Sequence, residues 1–102
     1  MSLLLDTQVL LWWLRGDRRL GRAVRDSIAG ADEAYVSAAS VWEIAIKQAR
    51  GRLVVPPGLV DAIVADFRPL EITFEHALAV RDLEPLHADP FDRMLVAQAL
   101  VE

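Results

Sequence analysis

The alternation of short apolar runs with pairs of helical segments is the feature that most restricts the fold of this chain. Residues 2–5, SLLL, form a continuous apolar run, and residues 34–37 and 70–73 have the composition of two further short strands. The intervening residues carry apolar side chains at helical spacing, over 7–14, 20–28, 40–51, 59–67, 75–83 and 90–102. This β-α-α-β-α-α-β-α-α order predicts parallel strands joined by right-handed crossovers. We therefore expect an α/β fold, a three-layer α/β/α sandwich with a central parallel sheet, in one domain spanning residues 1–102.

Composition excludes several classes of protein. With 102 residues, 54% of them apolar, and a mean hydropathy of +0.27, the chain has ample material for a core and is not disordered. It contains no cysteine, which excludes a disulfide framework and thiolate metal sites and suits a reducing cytoplasm. No apolar run is long enough for a membrane span, and the amino-terminal residues lack the basic region of a signal peptide.

Charge is distributed unevenly along the chain. Residues 1–52 carry eight Lys or Arg and six Asp or Glu, whereas residues 53–102 carry three and nine. Five arginines crowd into one short stretch: Arg15, Arg18, Arg19, Arg22 and Arg25. Such a stretch is typical of a solvated helix face, and the functional alternative is contact with a phosphate backbone.

Carboxylates recur where predicted strands end and helices begin. Asp6 ends the first strand, Glu43 lies three residues after Ser40, and Asp89 and Asp92 open the last helix. In open α/β sheets the helix N-termini gather outside the carboxyl ends of the strands, where ligands bind. Three separate acidic positions are therefore predicted to meet at one edge of the sheet.

Each of these positions also has a structural interpretation. Asp6 suits a helix N-cap, and Ser40 and Glu43 fit the capping-box pattern. Asp89, directly before Pro90, suits the N-cap of the last helix, and Asp92 suits its first turn. Together, however, carboxylates repel one another unless a cation lies among them. A set of oxygen ligands without cysteine is typical of a hard cation such as Mg²⁺ or Mn²⁺, which polarises a phosphoryl oxygen and activates water.

Other chemistries fit this sequence poorly. It contains no dinucleotide-binding glycine motif, no Walker motif and no G-x-S-x-G nucleophile elbow. His76 and His87 are far apart, and we expect His76 on a helix surface and His87 in a loop. An aspartyl-phosphate enzyme with a D-x-D strand end would need an acid at position 8, which is Gln8.

Three segments carry a resemblance to a known family. LLLDTQVLLWWL, SAASVWEIAIKQARGRL and HADPFDRMLVAQA, in this order, resemble the PIN-domain family, specifically the VapC-type toxin ribonucleases of bacterial toxin–antitoxin systems. By motif, the resemblance implies that Asp6, Glu43 and Asp92 bind Mg²⁺ or Mn²⁺ and are catalytic, with Asp89 a weaker candidate ligand. It also implies cleavage of RNA, a VapB-type antitoxin as partner, and a homodimer.

Two departures from the family pattern stand out. Gln8 replaces the histidine common in this subgroup, which leaves the ligands unchanged. The sequence ends at Glu102, inside the last helix, whereas the family continues into further strands, one of which bears a fourth acid. We therefore expect the natural protein to continue past Glu102. An alternative function is an inactive PIN-like remnant that binds an antitoxin or dimerises.

Residues beside the acids have two interpretations each. Thr7 suits a ligand-orienting hydroxyl or an ordinary first-turn position, Lys47 an RNA contact or an ion pair with Glu43, and Arg93 a phosphate contact or an exposed side chain. The three tryptophans are expected to be core or dimer-interface side chains rather than base-stacking platforms: Trp12, Trp13 and Trp42.

Overall fold

A computed structural model of the chain describes residues 1–55, 57–83 and 89–102. The strands are β1 (Ser2–Leu5), β2 (Glu33–Ser37) and β3 (Arg68–Leu70). The helices are α1 (Thr7–Arg15), α2 (Arg22–Ala29), α3 (Ala38–Ala49), α4 (Leu59–Asp66), α5 (Phe74–Ala79) and α6 (Pro90–Val101), and a 3₁₀ turn covers Val80–Asp82. None of the helices in these ranges is long and apolar enough to cross a membrane. The loop predicted around His87 lies outside the described residues.

The three strands form one parallel sheet in the order β1-β2-β3, which confirms the α/β fold class. Leu5 pairs with Val36, and Ser37 pairs with Leu70, so the carboxyl ends of all three strands lie at the same edge. The third strand was predicted at residues 70–73, and that prediction is wrong by two residues. Residue 73 is instead the N-cap of α5, so the chain has already left the sheet there.

The continuous apolar run SLLL predicts a strand buried on both faces, and that prediction is wrong for β1. Ser2 is exposed, Leu3 and Leu4 are half-buried, and only Leu5 is fully buried. Among the described strands β1 pairs with β2 alone, so it lies at an edge of the sheet, and β2 is the central strand. An apolar run marks a strand that covers a core, but it does not by itself tell a central strand from an edge strand.

The main core lies between the sheet and helices α1 to α4. Its fully buried members are Leu5, Leu10, Leu11, Leu20, Ile28, Val36, Ile44, Ile63 and Phe67. Helices α5 and α6 contribute none of these residues and pack against each other, and α6 also packs against α3. The two helical groups and the sheet therefore form the predicted three layers.

Helix boundaries explain two smaller differences from the sequence interpretation. The stripe predicted from Leu20 to Ile28 is interrupted because Leu20 precedes α2 and Val24 is 46% exposed. The capping box predicted at Ser40 and Glu43 does not form. Instead α3 begins earlier, with Ser37 as its N-cap, whose hydroxyl accepts a hydrogen bond from Ala39 N at 3.0 Å.

Candidate functional site

A small cavity lies where the starts of α1 and α6 approach α3. It has a volume of about 270 Å³. Its described lining residues are Asp6, Thr7, Gln8, Leu11, Glu43, Lys47, Asp89 and Asp92. The structure thus brings all four sequence-predicted acids to one cavity, together with two of the three predicted neighbours. Because these residues come from three distant parts of the chain, their meeting is a property of the fold.

Asp6 joins β1 to α1 at the edge of the sheet. Its backbone is extended, and its Oδ1 accepts a hydrogen bond from Val9 N at 2.8 Å, so it caps the helix as expected for an N-cap aspartate. The side chain is exposed to solvent. The carboxylate lies at the positive end of the α1 dipole, which is a favourable place for a negative charge.

Glu43 is the buried acid of the site, at 7% exposure. Its Oε1 accepts a hydrogen bond from the Thr7 hydroxyl at 2.7 Å, and its Oε2 accepts one from Lys47 Nζ at 2.7 Å. Both oxygens of this carboxylate therefore have a hydrogen-bond partner. The predicted ion pair between Lys47 and Glu43 is present, and Thr7 orients the same carboxylate from the opposite side.

Ser40 was assigned only a capping role from the sequence, yet it belongs to this cluster. It is fully buried, and its hydroxyl lies 3.1 Å from the Thr7 hydroxyl. Thr7 has a single proton, which it donates to Glu43, so Ser40 is left as the donor to Thr7. A chain of two hydroxyls thus holds Glu43 in place. The three-residue spacing from Ser40 to Glu43 was visible in the sequence, but its partner on α1 was not.

Asp89 and Asp92 open α6. Asp89 is its N-cap, with Oδ1 accepting from Phe91 N at 2.8 Å and from Asp92 N at 3.2 Å. This agrees with the capping role predicted from the proline that follows Asp89. Asp92 lies in the first turn, exposed, with its side chain at the cavity.

An aromatic contact fixes α3 against the start of α6. The rings of Trp42 and Phe91 meet edge to face, with centroids 5.0 Å apart. Each ring precedes a site acid by one residue, so this contact sets the separation of Glu43 from Asp92. Trp42 is 59% exposed, so the core position is wrong for it, and the dimer-interface position stays a prediction.

Arg93 does not line the cavity. Its guanidinium donates to Val80 O at 3.0 Å and reaches Leu83 O at 3.5 Å. These carbonyls belong to the first residue of the 3₁₀ turn and to the residue that follows it, so the arginine ties α6 to the segment before it. This contact supplies a structural role for Arg93 and gives no support to a phosphate contact.

The donor set suits Mg²⁺ or Mn²⁺ in its chemistry, because the acids are hard oxygen ligands. Within the described ranges, however, no three acidic or histidine side chains are arranged to hold a metal ion. Hydrogen bonds account for this. Asp6 and Asp89 are turned towards backbone N–H groups, and Glu43 is turned towards Thr7 and Lys47.

A second buried polar cluster lies at the other end of α6, and it corrects the expectation for His76. This histidine is fully buried rather than on a helix surface. Its Nδ1 accepts a hydrogen bond from Thr73 N at 3.1 Å, and its Nε2 lies 2.8 Å from Glu102 Oε2. Gln98 Nε2 lies 3.3 Å from the same Nδ1 and donates to Glu71 O at 3.2 Å.

The arginine stretch is partly engaged by its own surroundings. Arg19 binds the Asp17 carboxylate at 2.7 Å and lies over the Trp12 ring, and Arg25 lies over the Trp13 ring. The hydrogen bonds from Arg19 lower the pKa of Asp17 to about 2. The two tryptophans are half-buried against the core, as predicted.

Comparisons with known proteins identify the family and agree with the fold. A model of the PIN-domain family matches residues 3–102. Ribonuclease VapC22 from Mycobacterium tuberculosis (strain ATCC 25618 / H37Rv) is 33% identical over 103 residues, covering 97% of this chain and 79% of the relative. The crystal structure of VapBC2 from Rickettsia felis, bound to a DNA fragment from their promoter, superposes with a TM-score of 0.69. It shares 9% sequence identity and covers 97% of this chain and 80% of that chain. The structural likeness extends over nearly the whole chain.

Proposed function

The chain belongs to the PIN-domain family, and we propose that it is a metal-dependent endoribonuclease of the VapC toxin type. The proposed substrate is RNA, and the proposed cofactor is Mg²⁺ or Mn²⁺. The name of the 33% identical relative, ribonuclease VapC22, supports a nuclease activity. The cavity at the carboxyl edge of the sheet supports the assignment of that activity to particular residues.

One observation carries the proposal. Asp6, Glu43 and Asp92, separated by dozens of residues, line a single small cavity. The parallel topology already brings helix starts to this edge of the sheet, but three acidic side chains that line one cavity repel one another unless a cation lies among them. We assign Asp6, Glu43 and Asp92 as metal ligands, and Asp89 chiefly as the N-cap of α6.

The chemistry follows from charge and position. A bound Mg²⁺ or Mn²⁺ would supply charge neutralisation at the scissile phosphodiester and activation of a water molecule. Thr7 and Ser40 hold the Glu43 carboxylate in one orientation. Asp6 and Asp92 lie at the positive N-terminal ends of α1 and α6, which are favourable places for a negative charge.

Partners belong to the same proposal. We propose a VapB-type antitoxin that blocks the cavity, and a homodimer in solution. The structural neighbour is described as VapBC2, a complex crystallised with promoter DNA, which supports an antitoxin partner at the level of the fold. The proposed compartment is the cytoplasm, where a chain without cysteine meets no redox constraint.

A cleavage assay tests the proposal. Purified protein is incubated with a mixed RNA substrate in Mn²⁺, in Mg²⁺ and in a chelator, beside a Glu43→Gln variant. We expect cleavage that requires the cation and is lost in the variant. Equal cleavage by both proteins would point to a contaminating nuclease and overturn the assignment.

The alternative is an inactive PIN-like module that only binds an antitoxin or dimerises. It is favoured by the finding that, in the described part of the chain, no three acidic or histidine side chains are arranged to hold a metal ion. Under this alternative neither Mn²⁺ nor Mg²⁺ at saturating concentration produces cleavage, while the protein stays folded.

A further inference from the structure

Lys47 is the only lysine in the sequence, and it lies on the buried acid of the cavity. Its Nζ is 2.7 Å from Glu43 Oε2, on the same face of α3 and one turn further along. The lysine side chain is 48% exposed, whereas that of Glu43 is 9% exposed. The ammonium therefore covers Glu43 from the solvent side.

The two oxygens of Glu43 are not equivalent. Oε1 points to Thr7, a residue only 8% exposed, and Oε2 points to the half-exposed lysine. A ligand that enters from solvent meets Oε2 first. A divalent cation coordinated there would lie within a few ångströms of the ammonium, and the two positive charges would repel each other.

We propose that Lys47 is a built-in counter-ion, which neutralises Glu43 in the metal-free protein and leaves it when a divalent cation binds. The inference rests on the proposed cation site. Only the lysine side of this pair is open to solvent, so the ammonium regains its hydration when it leaves, and a divalent cation with several carboxylate ligands replaces its charge at Glu43. The long, half-exposed side chain turns into solvent without disturbing the core.

This proposal and a positioning role predict opposite changes in metal affinity when Lys47 is replaced. If Lys47 oriented Glu43 for the metal, its removal would weaken metal binding. As a competitor, its removal strengthens metal binding, because the cation no longer displaces an ammonium or approaches one.

Calorimetric titration with Mn²⁺ distinguishes an increase in affinity from a decrease. We expect Lys47→Met, which keeps the aliphatic stem, to bind Mn²⁺ roughly three- to tenfold more tightly than the wild type at low salt. Lys47→Arg should stay within about twofold of the wild type, because the competing charge remains. Arg50→Met is the matched control. It removes the same charge one turn later on α3 and should shift the affinity by less than about twofold.

The single lysine permits a second, direct measurement. Lysine labelled with ¹³C at Cε gives one side-chain signal, which is followed by NMR during titration with diamagnetic Mg²⁺. We expect the signal to move to the position of a solvated lysine as Mg²⁺ saturates. In Glu43→Gln it should start near that position and stay there. Unchanged or weaker Mn²⁺ binding in Lys47→Met overturns the proposal, and so does a Lys47 signal that does not move.

Failure of the proposed function is distinguishable. If neither the wild type nor Lys47→Met binds Mn²⁺, the cation site is absent and both proposals fall. If Mn²⁺ binds but Lys47→Met does not bind it more tightly, or the Lys47 NMR signal does not move, only the counter-ion proposal is wrong. If both lysine results hold while saturating Mn²⁺ produces no RNA cleavage, the counter-ion stands and the ribonuclease assignment is wrong.

Discussion

The two ends of α6 each adjoin a buried polar cluster, and the clusters differ in what they face. The Glu43 cluster, made of Thr7, Ser40 and Glu43, lies beside the N-terminus of α6 and opens into a cavity lined by further acids. The His76 cluster, made of His76 and Gln98, lies near the C-terminus of α6 and is fully buried. Burial of polar side chains is common to both, so burial does not identify a functional site.

Charge and access separate the two clusters. In the Glu43 cluster the hydroxyls of Ser40 and Thr7 form a chain that ends on a carboxylate at a cavity wall. In the His76 cluster the hydrogen bonds reach two backbone groups, the amide of Thr73 and the carbonyl of Glu71, and the carboxylate of Glu102 outside the cavity. Because His76 Nδ1 accepts from an amide, the ring proton lies on Nε2, which donates to Glu102. The Glu43 cluster therefore presents a negative charge to a ligand, whereas the His76 cluster satisfies the backbone amide at the start of α5.

The largest expected effect concerns the acids beside the Glu43 cluster. Asp92→Asn should lower RNA cleavage by at least about a hundredfold, because it removes a charged ligand from the cavity. Asp89→Asn should retain cleavage within about fivefold, because asparagine caps a helix as well as aspartate does. The measurement is the initial cleavage rate at saturating Mn²⁺. Equal losses in the two variants would contradict the division into a ligand and a cap.

The His76 cluster should respond in stability instead. His76→Ala removes a fully buried side chain and leaves the Thr73 amide without its acceptor, at a cost of about 2–4 kcal/mol in the free energy of unfolding. Urea denaturation measures this change. The folded variant should keep its affinity for Mn²⁺, and a selective loss of Mn²⁺ binding would show that the two clusters are coupled.

The contrast between the clusters also shows what the sequence could reveal. Strand and helix order followed from apolar periodicity, and the convergence of Asp6, Glu43 and Asp92 followed from their positions after strands and at helix starts. These are local signals that the topology brings together. Asp89 was likewise recognisable as a cap, because proline follows it directly.

Long-range contacts were beyond such reasoning. Ser40 resembled a cap, and its bond to Thr7 depends on how α1 packs against α3. His76 resembled a surface residue, because the polar partners that bury it come from α6, more than twenty residues away. The edge position of β1 depends on strand order, which an apolar run does not specify.

A smaller effect concerns the surface along which RNA approaches the acidic cavity beside the N-terminus of α6. Helix α1 has nine residues, so the arginine stretch begins roughly 13 Å from Asp6. Reversing Arg18 and Arg22 to glutamate should weaken RNA binding several-fold at low salt, with less effect at high salt. Arg81→Glu, in the acidic half of the chain, is the control. Equal weakening by the control would place the RNA elsewhere.

The smallest effect concerns an exposed pair far from both clusters. The folded protein holds the pKa of Asp17 at about 2, below its ordinary 3.8, through the hydrogen bonds from Arg19. The pair therefore stabilises the fold above pH 3.8, and this contribution disappears as the pH falls through about 2. Urea midpoints of the wild type and Asp17→Asn should differ slightly at pH 5 and coincide below pH 2. A difference that persists there would contradict this account.

The central claim is that Asp92, at the N-terminus of α6, completes a cation site with Asp6 and Glu43. Anomalous diffraction from crystals grown with Mn²⁺ tests it most directly, because the signal locates the ion without reference to activity. We predict one strong peak in the cavity, within roughly 2.5 Å of carboxylate oxygens of Asp6, Glu43 and Asp92 or joined to them through water, with Lys47 turned away from Glu43. An empty cavity at saturating Mn²⁺, with Lys47 still on Glu43, would contradict the account.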